Sequence, residues 1–474
     1  MAATKYDPTS PESIFGYSLG LLGKSLAEAL KGVIDSEEID MAGKGGVGQL
    51  VEKFYFGYTP NNSPLPDFPE AGVELKCTPL KTAANGEYAV KERLICDMID
   101  YNAIVKVSFE ESAFYRKSLL MLIMFYLHAS GVAKRDLRFI YSVLWRLTGK
   151  DLEIIRQDYE LIVSKIRAGK AHELSEGDTM YLGAARKGQK GDAPRSQPFS
   201  DIKAYGRAFS LKMSYMRTIL DFVRNSGNSS ATNTEYKPAK FELVSLNEIR
   251  EDGFEGTLRK RFAPFVGKDY RQIARKLGVT ISAKEKNRYA RAAKGIMLEG
   301  LKEFSQAEEI AKAGICAKTI RMEADGRIRE NMSFENIDYN EIFNNDNWTD
   351  SRWYEIATSK FMFIIFREDP NPPRGWKDEK RYVFDRVVFW TMPAADLERA
   401  REYWENIRAN VMADTLLDSE NTFWRQSDRL DFHVRPKAQK GSNRYISPVS
   451  GKEVPRKCYW FNREYLTKIL NEDA

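Results

Sequence analysis

Hydrophobic and polar residues alternate near residue 75, as in a β-strand with one buried face. Val73, Leu75 and Cys77 are apolar, whereas Glu74 and Lys76 between them are charged. Successive side chains of a strand point to opposite faces, so Glu74 and Lys76 should share one face. The pattern therefore predicts a strand that presents a carboxylate and an ammonium group side by side.

Helical spacing of apolar residues predicts two helices ahead of this strand. The first helix starts at Ser10-Pro11, and the second carries Glu52 on its flank. Their apolar positions are Phe15, Leu19, Leu22 and Leu26 in the first helix and Val47, Leu50, Val51 and Phe54 in the second.

Three further stretches follow the strand. Residues 119–125 are apolar throughout, which predicts a central strand that is buried on both faces. Residues 139–145 fit either another strand or a buried helix, and residues 151–169 fit an amphipathic helix. We therefore expect an α/β fold, in which helices flank a mixed central sheet.

The second half of the chain resembles the first, which indicates a duplication. The matching segments occur in the same order: 71–76 with 313–318, 112–115 with 351–354, and 158–162 with 403–407. A polar, glycine- and serine-rich stretch divides the halves. We expect a domain at 1–222, a flexible linker at 223–240 and a second domain at 241–474, with an extra helical insertion around 268–300.

Composition narrows the class of protein. The 474 residues carry a formal charge of +6, which permits a nucleic-acid partner without requiring one. The longest apolar run is far shorter than the ~20 residues that cross a bilayer, so no membrane association is expected. The four cysteines are scattered and only three histidines occur, which disfavours zinc sites and disulfides and suits the cytoplasm.

Asp67 adds chemistry to the predicted strand, because a proline-rich turn brings it towards Glu74 and Lys76. Phosphodiester hydrolysis uses this set: hard oxygen ligands hold Mg²⁺, and a lysine orients or activates the attacking water. The spacing alone is also typical of an ordinary charged strand with a solvated face.

The surrounding residues make the set more specific. Residues 44–52 read KGGVGQLVE, Asp67 follows, and residues 72–79 read GVELKCTP. This series resembles the MutH family of mismatch-repair nicking endonucleases and its relatives, the GATC-cutting type II restriction endonucleases. The resemblance implies a PD-(D/E)xK nuclease fold in each half and cleavage that leaves 5′-phosphates.

The resemblance also implies roles for individual residues. Asp67 and Glu74 would be the main Mg²⁺ ligands, and Glu52 would reach the metal directly or through water. Lys76 would position or deprotonate the attacking water. Lys117 matches a further active-site lysine. Glu70 lies off the pattern and is expected at the surface.

DNA-contacting residues are expected in both halves. The basic, glycine-rich stretch at 186–195 matches the base-reading segment of the family, although residues 185–187 read Ala-Arg-Lys where Arg-Pro-Lys is expected. The second half carries Arg-Pro-Lys at 435–437. The expected DNA-binding residues are Lys44, Arg186, Lys187, Arg207, Lys212, Arg435 and Lys437.

The second half is expected to bind DNA without cutting it. It retains Glu299, Glu309 and Lys318, but Cys316 replaces the motif glutamate, and a thiol is a poor ligand for Mg²⁺. The favoured function is a Mg²⁺-dependent restriction endonuclease that acts on double-stranded DNA, self-associates on DNA and accompanies a cognate methyltransferase. The alternatives are a strand-nicking repair enzyme and a non-cleaving DNA-binding regulator.

Overall fold

The structure is a computed structural model that describes residues 6–34, 39, 46–61, 63–83, 86–187, 193–233, 241–298, 303–376, 380–437 and 444–472. Two compact units divide the chain. The first unit comprises Met1–Gly253 and Ala307–Gly314, and the second comprises Phe254–Gln306 and Ile315–Ala474. Among the described residues, no helix has the length and apolar character needed to cross a lipid bilayer.

The first unit is a mixed α/β structure. Its helices are α1 Pro11–Ser18, α2 Leu26–Ala29, α3 Val47–Leu50, α4 Tyr101–Ile104, α5 Ala113–Ser118, α6 Gly149–Arg167 and α7 Met213–Asn225. Its strands are β1 Glu74–Thr82, β2 Tyr88–Val90, β3 Leu94–Met98, β4 Leu120–Leu127, β5 Phe139–Arg146, β6 Leu182–Arg186, β7 Arg195–Gln197, β8 Ser200–Ala204, β9 Arg207–Leu211 and β10 Ser230–Thr232. The stretch that fitted either strand or helix is thus the strand β5.

The main sheet of this unit has the order β10-β5-β4-β1-β2. Strand β4 pairs in parallel with β1 and antiparallel with β5, so the predicted central position of β4 and the mixed character of the sheet are confirmed. Residues 121–125 of β4 are fully buried. Burying each large apolar side chain contributes ~1.5–3 kcal/mol, so β4 is a stable support for its neighbour β1.

The segment expected to be a flexible linker contains regular structure at its start. Helix α7 continues to Asn225, and Ser230–Thr232 pairs in parallel with β5 as an edge strand. Backbone hydrogen bonding therefore outweighs the polar, glycine-rich composition here. Residues 234–240 lie outside the described residues.

The second unit begins within helix α8, Leu246–Phe262, just after its kink at Gly253. Its further helices are α9 Tyr270–Leu277, α10 Arg288–Leu298, α12 Tyr339–Asn344, α13 Arg352–Ala357, α14 Ala394–Met412 and α15 Arg463–Glu472, whereas α11 Glu308–Ala313 belongs to the first unit. Its strands are β11 Cys316–Met322, β12 Met332–Asn336, β13 Phe361–Asp369, β14 Arg381–Trp390, β15 Phe432–Arg435, β16 Arg444–Ile446, β17 Glu453–Pro455 and β18 Cys458–Phe461.

Strand pairing in the second unit follows the same order as in the first. Strand β13 pairs in parallel with β11 and antiparallel with β14, as β4 does with β1 and β5. The three-stranded sheet β3-β9-β6 has its counterpart in β12-β18-β15, and the hairpin β7-β8 has its counterpart in β16-β17. Each described strand of the second unit therefore has a counterpart in the first, whereas the edge strands β2 and β10 occur, among the described residues, in the first unit alone.

The helices at 268–300 are not an extra insertion, which corrects the expectation from the sequence. Gly267 N–H donates to Phe384 O, and Phe384 N–H donates to Lys268 O, at 2.9 and 2.8 Å. Gly23, Lys24 and Phe139 make the same two bonds in the first unit, each at 2.9 Å. A helix with a capping box follows in both units, at α2 and at α9. Helix α9 thus has the place in the second half that α2 has in the first.

Candidate active site

Asp67 and Glu74 are held together by the backbone around the start of β1. Phe68 and Val73 exchange two backbone hydrogen bonds, at 2.9 and 3.2 Å, which close the turn between the two carboxylates. Asp67 Oδ2 accepts from Leu75 N–H at 2.9 Å, and Asp67 N–H donates to Glu74 Oε2 at 3.2 Å. Each carboxylate is therefore fixed by the backbone of the segment that carries the other.

Lys76 lies on the same face of β1 as Glu74, as the alternation predicted. Its Nζ donates to Glu74 Oε1 at 2.8 Å and to Cys96 O, on β3, at 3.2 Å. Burial alone would lower the pKa of Lys76, but Glu74, Cys96 and Asp67 together outweigh burial and the pKa is raised. The lysine therefore stays an ammonium ion beside the two carboxylates.

Glu52 reaches this cluster from a π-helical segment, Val51–Phe56, that continues α3. Burial raises its pKa to about 7, and Asp67 and Glu74 add to this effect through charge repulsion. Burial also raises the pKa of Asp67 to about 6, with Glu74 as the next cause. Burial and like charge thus disfavour the ionised forms of Glu52 and Asp67, the two half-buried carboxyls beside Glu74.

Lys117 lies in the last turn of α5, directly before β4. Its charge lowers the pKa of Glu52, Asp67 and Asp97, against the larger effect of burial on each. The structure therefore brings all five candidate catalytic residues into one electrostatic neighbourhood.

Asp97 was not expected at this site. It lies on β3, where burial raises its pKa and where Lys117 and Lys76 partly offset that effect. No motif spacing in the sequence identifies Asp97 as a site residue, because it is the single charged residue of β3. Its position in the fold depends on the pairing of β3 with β9.

The donor set fits a hard divalent cation. Carboxylate oxygens are the ligands that Mg²⁺ prefers, and a cation would relieve the repulsion that raises the pKa of Glu52 and Asp67. Within the described part of the chain, no three carboxylate, thiol or imidazole groups already converge on a metal position. Glu74 is instead engaged by Lys76 and by the backbone of Asp67.

Arg186 and Lys187 lie together at the end of β6. The Arg186 guanidinium stacks on the ring of Tyr205 at 3.7 Å, and Lys187 N–H donates to Gly206 O at 2.8 Å. Arg207 pairs with Arg186 across the strands and donates to Ala184 O at 2.6 Å. The arginine that follows the buried part of β6 is thus held rigidly while its side chain stays exposed.

Lys212 and Lys44 were also expected to bind DNA. Lys212 is buried, with only 8% of its surface exposed, and its Nζ donates to Thr179 O. Its charge also lowers the pKa of Asp158, which burial raises overall, so Lys212 acts within the fold. Lys44 and residues 188–192 lie outside the described residues.

The corresponding strand of the second unit keeps the lysine but not the acids. Lys318 Nζ donates to Ser333 O on β12 at 2.9 Å, as Lys76 does to Cys96 O on β3. Burial raises the pKa of the Cys316 thiol, so it stays protonated. Glu309 is fully buried in the first unit, and Glu299 lies outside the described residues.

Arg435 has the same setting in the second unit as Arg186 has in the first. It ends β15, its guanidinium stacks on Trp460 at 4.0 Å, and it donates to Gln426 Oε1 at 2.9 Å. Lys437 follows, exposed, two residues later. An aromatic ring thus orients an arginine at the end of the matching strand in both units.

Comparison with known proteins gives one match along most of the chain. The type II restriction enzyme Sau3AI of Staphylococcus aureus is 31% identical over 472 residues, covering 93% of this chain and 90% of that enzyme.

Mismatch-repair proteins match a shorter part. The family described as DNA mismatch repair enzyme MutH matches residues 56–158. The DNA mismatch repair protein MutH of Buchnera aphidicola is 23% identical, covering 37% of this chain and 79% of that protein. MutH of Serratia proteamaculans is 24% identical, covering 45% of this chain and 93% of that protein.

Proposed function

Because this chain belongs to the family of MutH-related type II restriction endonucleases that includes Sau3AI, we propose that it recognises GATC in double-stranded DNA and cleaves both strands. The observation that carries the proposal is the cluster of Asp67, Glu74 and Lys76 at the start of β1. This cluster supplies the carboxylates and the ammonium group that metal-dependent phosphodiester hydrolysis uses. The specific base sequence rests on the family resemblance of residues 44–52 and 72–79.

Mg²⁺ is the proposed cofactor, with Asp67, Glu74 and Glu52 as its ligands. When bound, such a cation neutralises the carboxylates, polarises the scissile phosphate and favours ionisation of a water molecule. The raised pKa of Glu52 and of Asp67 supports this assignment, because burial and like charges disfavour both carboxylates without a cation.

Lys76 is the proposed water-positioning residue. An ammonium group has three N–H donors, and two of them are used by Glu74 Oε1 and Cys96 O. The third can hold the attacking water, and its direction is fixed by the other two bonds. The charge of Lys76 also stabilises the negative charge that develops on the phosphate in the transition state.

Lys117 supplies a second positive charge near the carboxylates. Its position directly before β4 fixes its backbone, because β4 pairs with β1 through Met121 and Glu74. We assign it to the scissile phosphate, whose charge it would balance. This role agrees with its electrostatic effect on Glu52 and Asp67.

DNA recognition is assigned to the arginine-bearing strand ends. Arg186, Lys187 and Arg207 would face DNA in the first unit, and Arg435 and Lys437 in the second. An arginine that a ring holds in place loses little side-chain entropy when it forms a bidentate bond to guanine. Lys44 completes the proposed set, and Lys212 is left out because it is buried.

The two units are proposed to be tandem PD-(D/E)xK domains, of which only the first cuts. The second keeps the strand order, Lys318 and Arg435 but has Cys316 in place of an acid. One active site cuts one strand, so double-strand cleavage requires two chains on the palindrome or two successive events. Self-association on DNA and a cognate methyltransferase that protects host sites are parts of the same proposal.

The test is cleavage of a supercoiled plasmid that contains GATC sites, with and without Mg²⁺. Linear fragments that require Mg²⁺ support the proposal. Nicked circles would instead favour a strand-nicking activity, the function of the MutH relatives, and an unchanged plasmid would favour a non-cleaving DNA-binding protein. Fragment ends that do not map to GATC would refute the assigned sequence.

Two variants separate the proposed centre from general effects. Asp67→Ala should abolish cleavage, because it removes a proposed metal ligand. Glu70→Ala is the matched control, since Glu70 lies in the same turn and is exposed. Wild-type cleavage by Asp67→Ala would overturn the assignment of the site.

A further inference from the structure

Tyr58 lies between the two segments that carry Glu52 and Asp67. Its backbone N–H donates to Glu52 O at 3.2 Å, just after the π-helical segment ends. Its ring packs edge-on against Phe68 with centroids 5.2 Å apart, and Phe68 directly follows Asp67. Tyr58 therefore joins the backbone of one proposed metal ligand to the neighbour of another.

The hydroxyl of Tyr58 is buried and has no hydrogen-bond partner among the described residues. Most buried polar groups in proteins are hydrogen-bonded, and leaving one unpaired is costly. An orphaned hydroxyl beside a functional site indicates a partner that is bound in another state of that site.

The charged groups around this hydroxyl are acceptors. Burial raises the pKa of Tyr58, and the charges of Asp67, Glu52, Cys77 and Glu74 raise it further. The phenol therefore stays protonated, and in a bond with an ionised carboxylate, which has no proton to give, it is the donor. Among these charges, that of Asp67 has the largest effect on the pKa of Tyr58. One oxygen of Asp67 already accepts a hydrogen bond from Leu75 N–H.

We propose that Tyr58 is a positioning residue of the nuclease centre, whose hydroxyl donates a hydrogen bond to the Asp67 carboxylate when the site holds its cation and DNA. This inference rests on the proposed role of Asp67 as a metal ligand. The bond would fix one carboxylate relative to the helix that carries Glu52. Tyr58 does not touch the phosphate and has no part in proton transfer.

Tyr55 is a matched control on the same segment. Its hydroxyl donates to Tyr17 O at 2.8 Å, and its ring stacks on Tyr17 with centroids 4.5 Å apart. Tyr55→Phe thus removes a hydroxyl that stabilises the fold, whereas Tyr58→Phe removes one that has no partner in this structure. Tyr58→Phe should therefore reduce cleavage without loss of stability, whereas Tyr55→Phe should reduce stability without loss of cleavage.

The experiment measures kcat, KM for GATC-containing DNA, Tm, and the rise in Tm that Mg²⁺ causes, in the full-length chain. Tyr58→Phe should lower kcat about tenfold, as expected for losing a hydrogen bond to a charged group, with KM unchanged. Its Tm without Mg²⁺ should equal or exceed that of the wild type, and the Mg²⁺-induced rise should shrink. Tyr55→Phe should lower Tm by a few degrees and leave kcat unchanged.

Other results would overturn the inference. Wild-type kcat and a wild-type Mg²⁺-induced rise in Tyr58→Phe would show that the hydroxyl has no function. Equal losses of Tm and kcat in both variants would show that Tyr58 acts only in packing. Asp67→Ala, measured in parallel, separates the role of Tyr58 from the proposed active site. If Asp67→Ala is inactive while Tyr58→Phe is normal, only the inference about Tyr58 fails. If Asp67→Ala still cuts DNA, the proposed active site fails as well.

Discussion

Lys76 Nζ lies 2.8 Å from Glu74 Oε1, two residues away on the same face of β1. The ion pair is largely shielded, with 18% of the lysine side chain and 5% of the glutamate side chain exposed. Because the pair also binds the backbone of Asp67 and Cys96, it fixes the direction of the remaining N–H of Lys76. The lysine should therefore serve through its exact geometry as well as its charge.

The first prediction concerns this geometry. Lys76→Arg keeps the positive charge, but its planar guanidinium cannot reproduce the compact donor of an ammonium group. Both Lys76→Arg and Lys76→Ala should lower the rate of cleavage by roughly 10²–10³-fold, the size of a lost electrostatic stabiliser. Binding of GATC-containing DNA, measured by gel shift, should be retained. Lys81→Ala, on the same strand, is the control and should cut normally.

The second prediction concerns pH. Glu52 has a pKa of about 7 and Asp67 a pKa of about 6, and both must be ionised to hold a cation. Cleavage at limiting Mg²⁺ should therefore rise steeply between pH 6 and pH 8, within the window that these two values set. Raising the Mg²⁺ concentration should shift the rise to lower pH, because metal and protons compete for the same oxygens.

Stability should change with pH in the opposite direction. Both folded-state pKa values lie above the value of about 4 for unfolded carboxyls, so protonation favours the folded state. That contribution is fully present below about pH 4 and is lost as pH rises through about 6 and about 7. Mg²⁺ should therefore raise Tm more at pH 8 than at pH 5.5. An equal rise at both pH values would contradict the proposed ligands.

Strand β1 was predictable because its signal is local. Alternation at residues 73–77 determines which side chains share a face, and that relation holds wherever the strand lies in the sheet. The central position of β4 was likewise evident from its unbroken apolar run. Placement of Glu52 and Lys117 near Asp67 followed from family resemblance and agrees with the electrostatics of the structure.

Other features depend on contacts that are distant in sequence. Lys212 is buried where its Nζ donates to Thr179 O, next to the residues 180–182 whose backbone bonds to Asp158 on α6, and no local pattern reports these contacts. The packing of the Tyr58 ring on Phe68 and the burial of its unpaired hydroxyl are likewise tertiary features of the described residues. The helices at 268–300 looked like an insertion because the relation of α9 to α2 shows in backbone hydrogen bonds between distant segments, which the sequence does not display.

The third prediction concerns base recognition. Arg186→Ala should weaken binding to GATC-containing DNA by ~1–3 kcal/mol more than binding to DNA without the site. Lys187→Ala should have the same effect if Lys187 contacts a base. If Lys187 contacts phosphate, the substitution should weaken binding to DNA with and without the site equally. Tyr205→Leu removes the ring under Arg186 and should give a smaller loss of the same kind. Competition binding at fixed salt measures all three.

The fourth prediction concerns the extent of the first unit. Lys312 is almost fully buried, and its Nζ lies 2.8 Å from Asp151 Oδ2 and 2.9 Å from Glu308 Oε1. Glu309 accepts from Leu243 N–H at 2.9 Å and pairs with Lys150. The first unit thus includes segments that lie beyond residue 240.

Breaking this buried network should destabilise the protein. Lys312→Ala leaves two carboxylates buried without their cation, so the free energy of unfolding should fall by ~3–5 kcal/mol. Lys294→Ala breaks an ion pair in which 65% of the Glu303 side chain is exposed, and should cost less than ~1 kcal/mol. Urea denaturation measures both. A chain truncated after residue 240 should also be unstable, and a stable, fully active fragment would refute this view.

The fifth prediction concerns the second unit. Cys316→Glu should not create a second cutting site, because Glu309, seven residues before it as Asp67 is before Glu74, is buried and paired with Lys150. The test combines this change with Asp67→Ala, so that any cleavage must come from the second unit. Mg²⁺-dependent cutting by the double variant would contradict the proposal that this unit is catalytically silent.

Arg435 and Lys437 should instead act through DNA binding. Replacing both by Ala removes the arginine that stacks on Trp460 and the exposed lysine beyond it. If the second unit holds another GATC site, it raises the effective concentration of the partner site on the same DNA. Cleavage of a two-site plasmid should then slow more than cleavage of a one-site plasmid. As a control, the double variant Arg463→Ala, Lys468→Ala removes the same charge from α15 and should slow cleavage of neither plasmid. If replacing Arg435 and Lys437 slows cleavage of both plasmids equally, the second unit does not recruit another site.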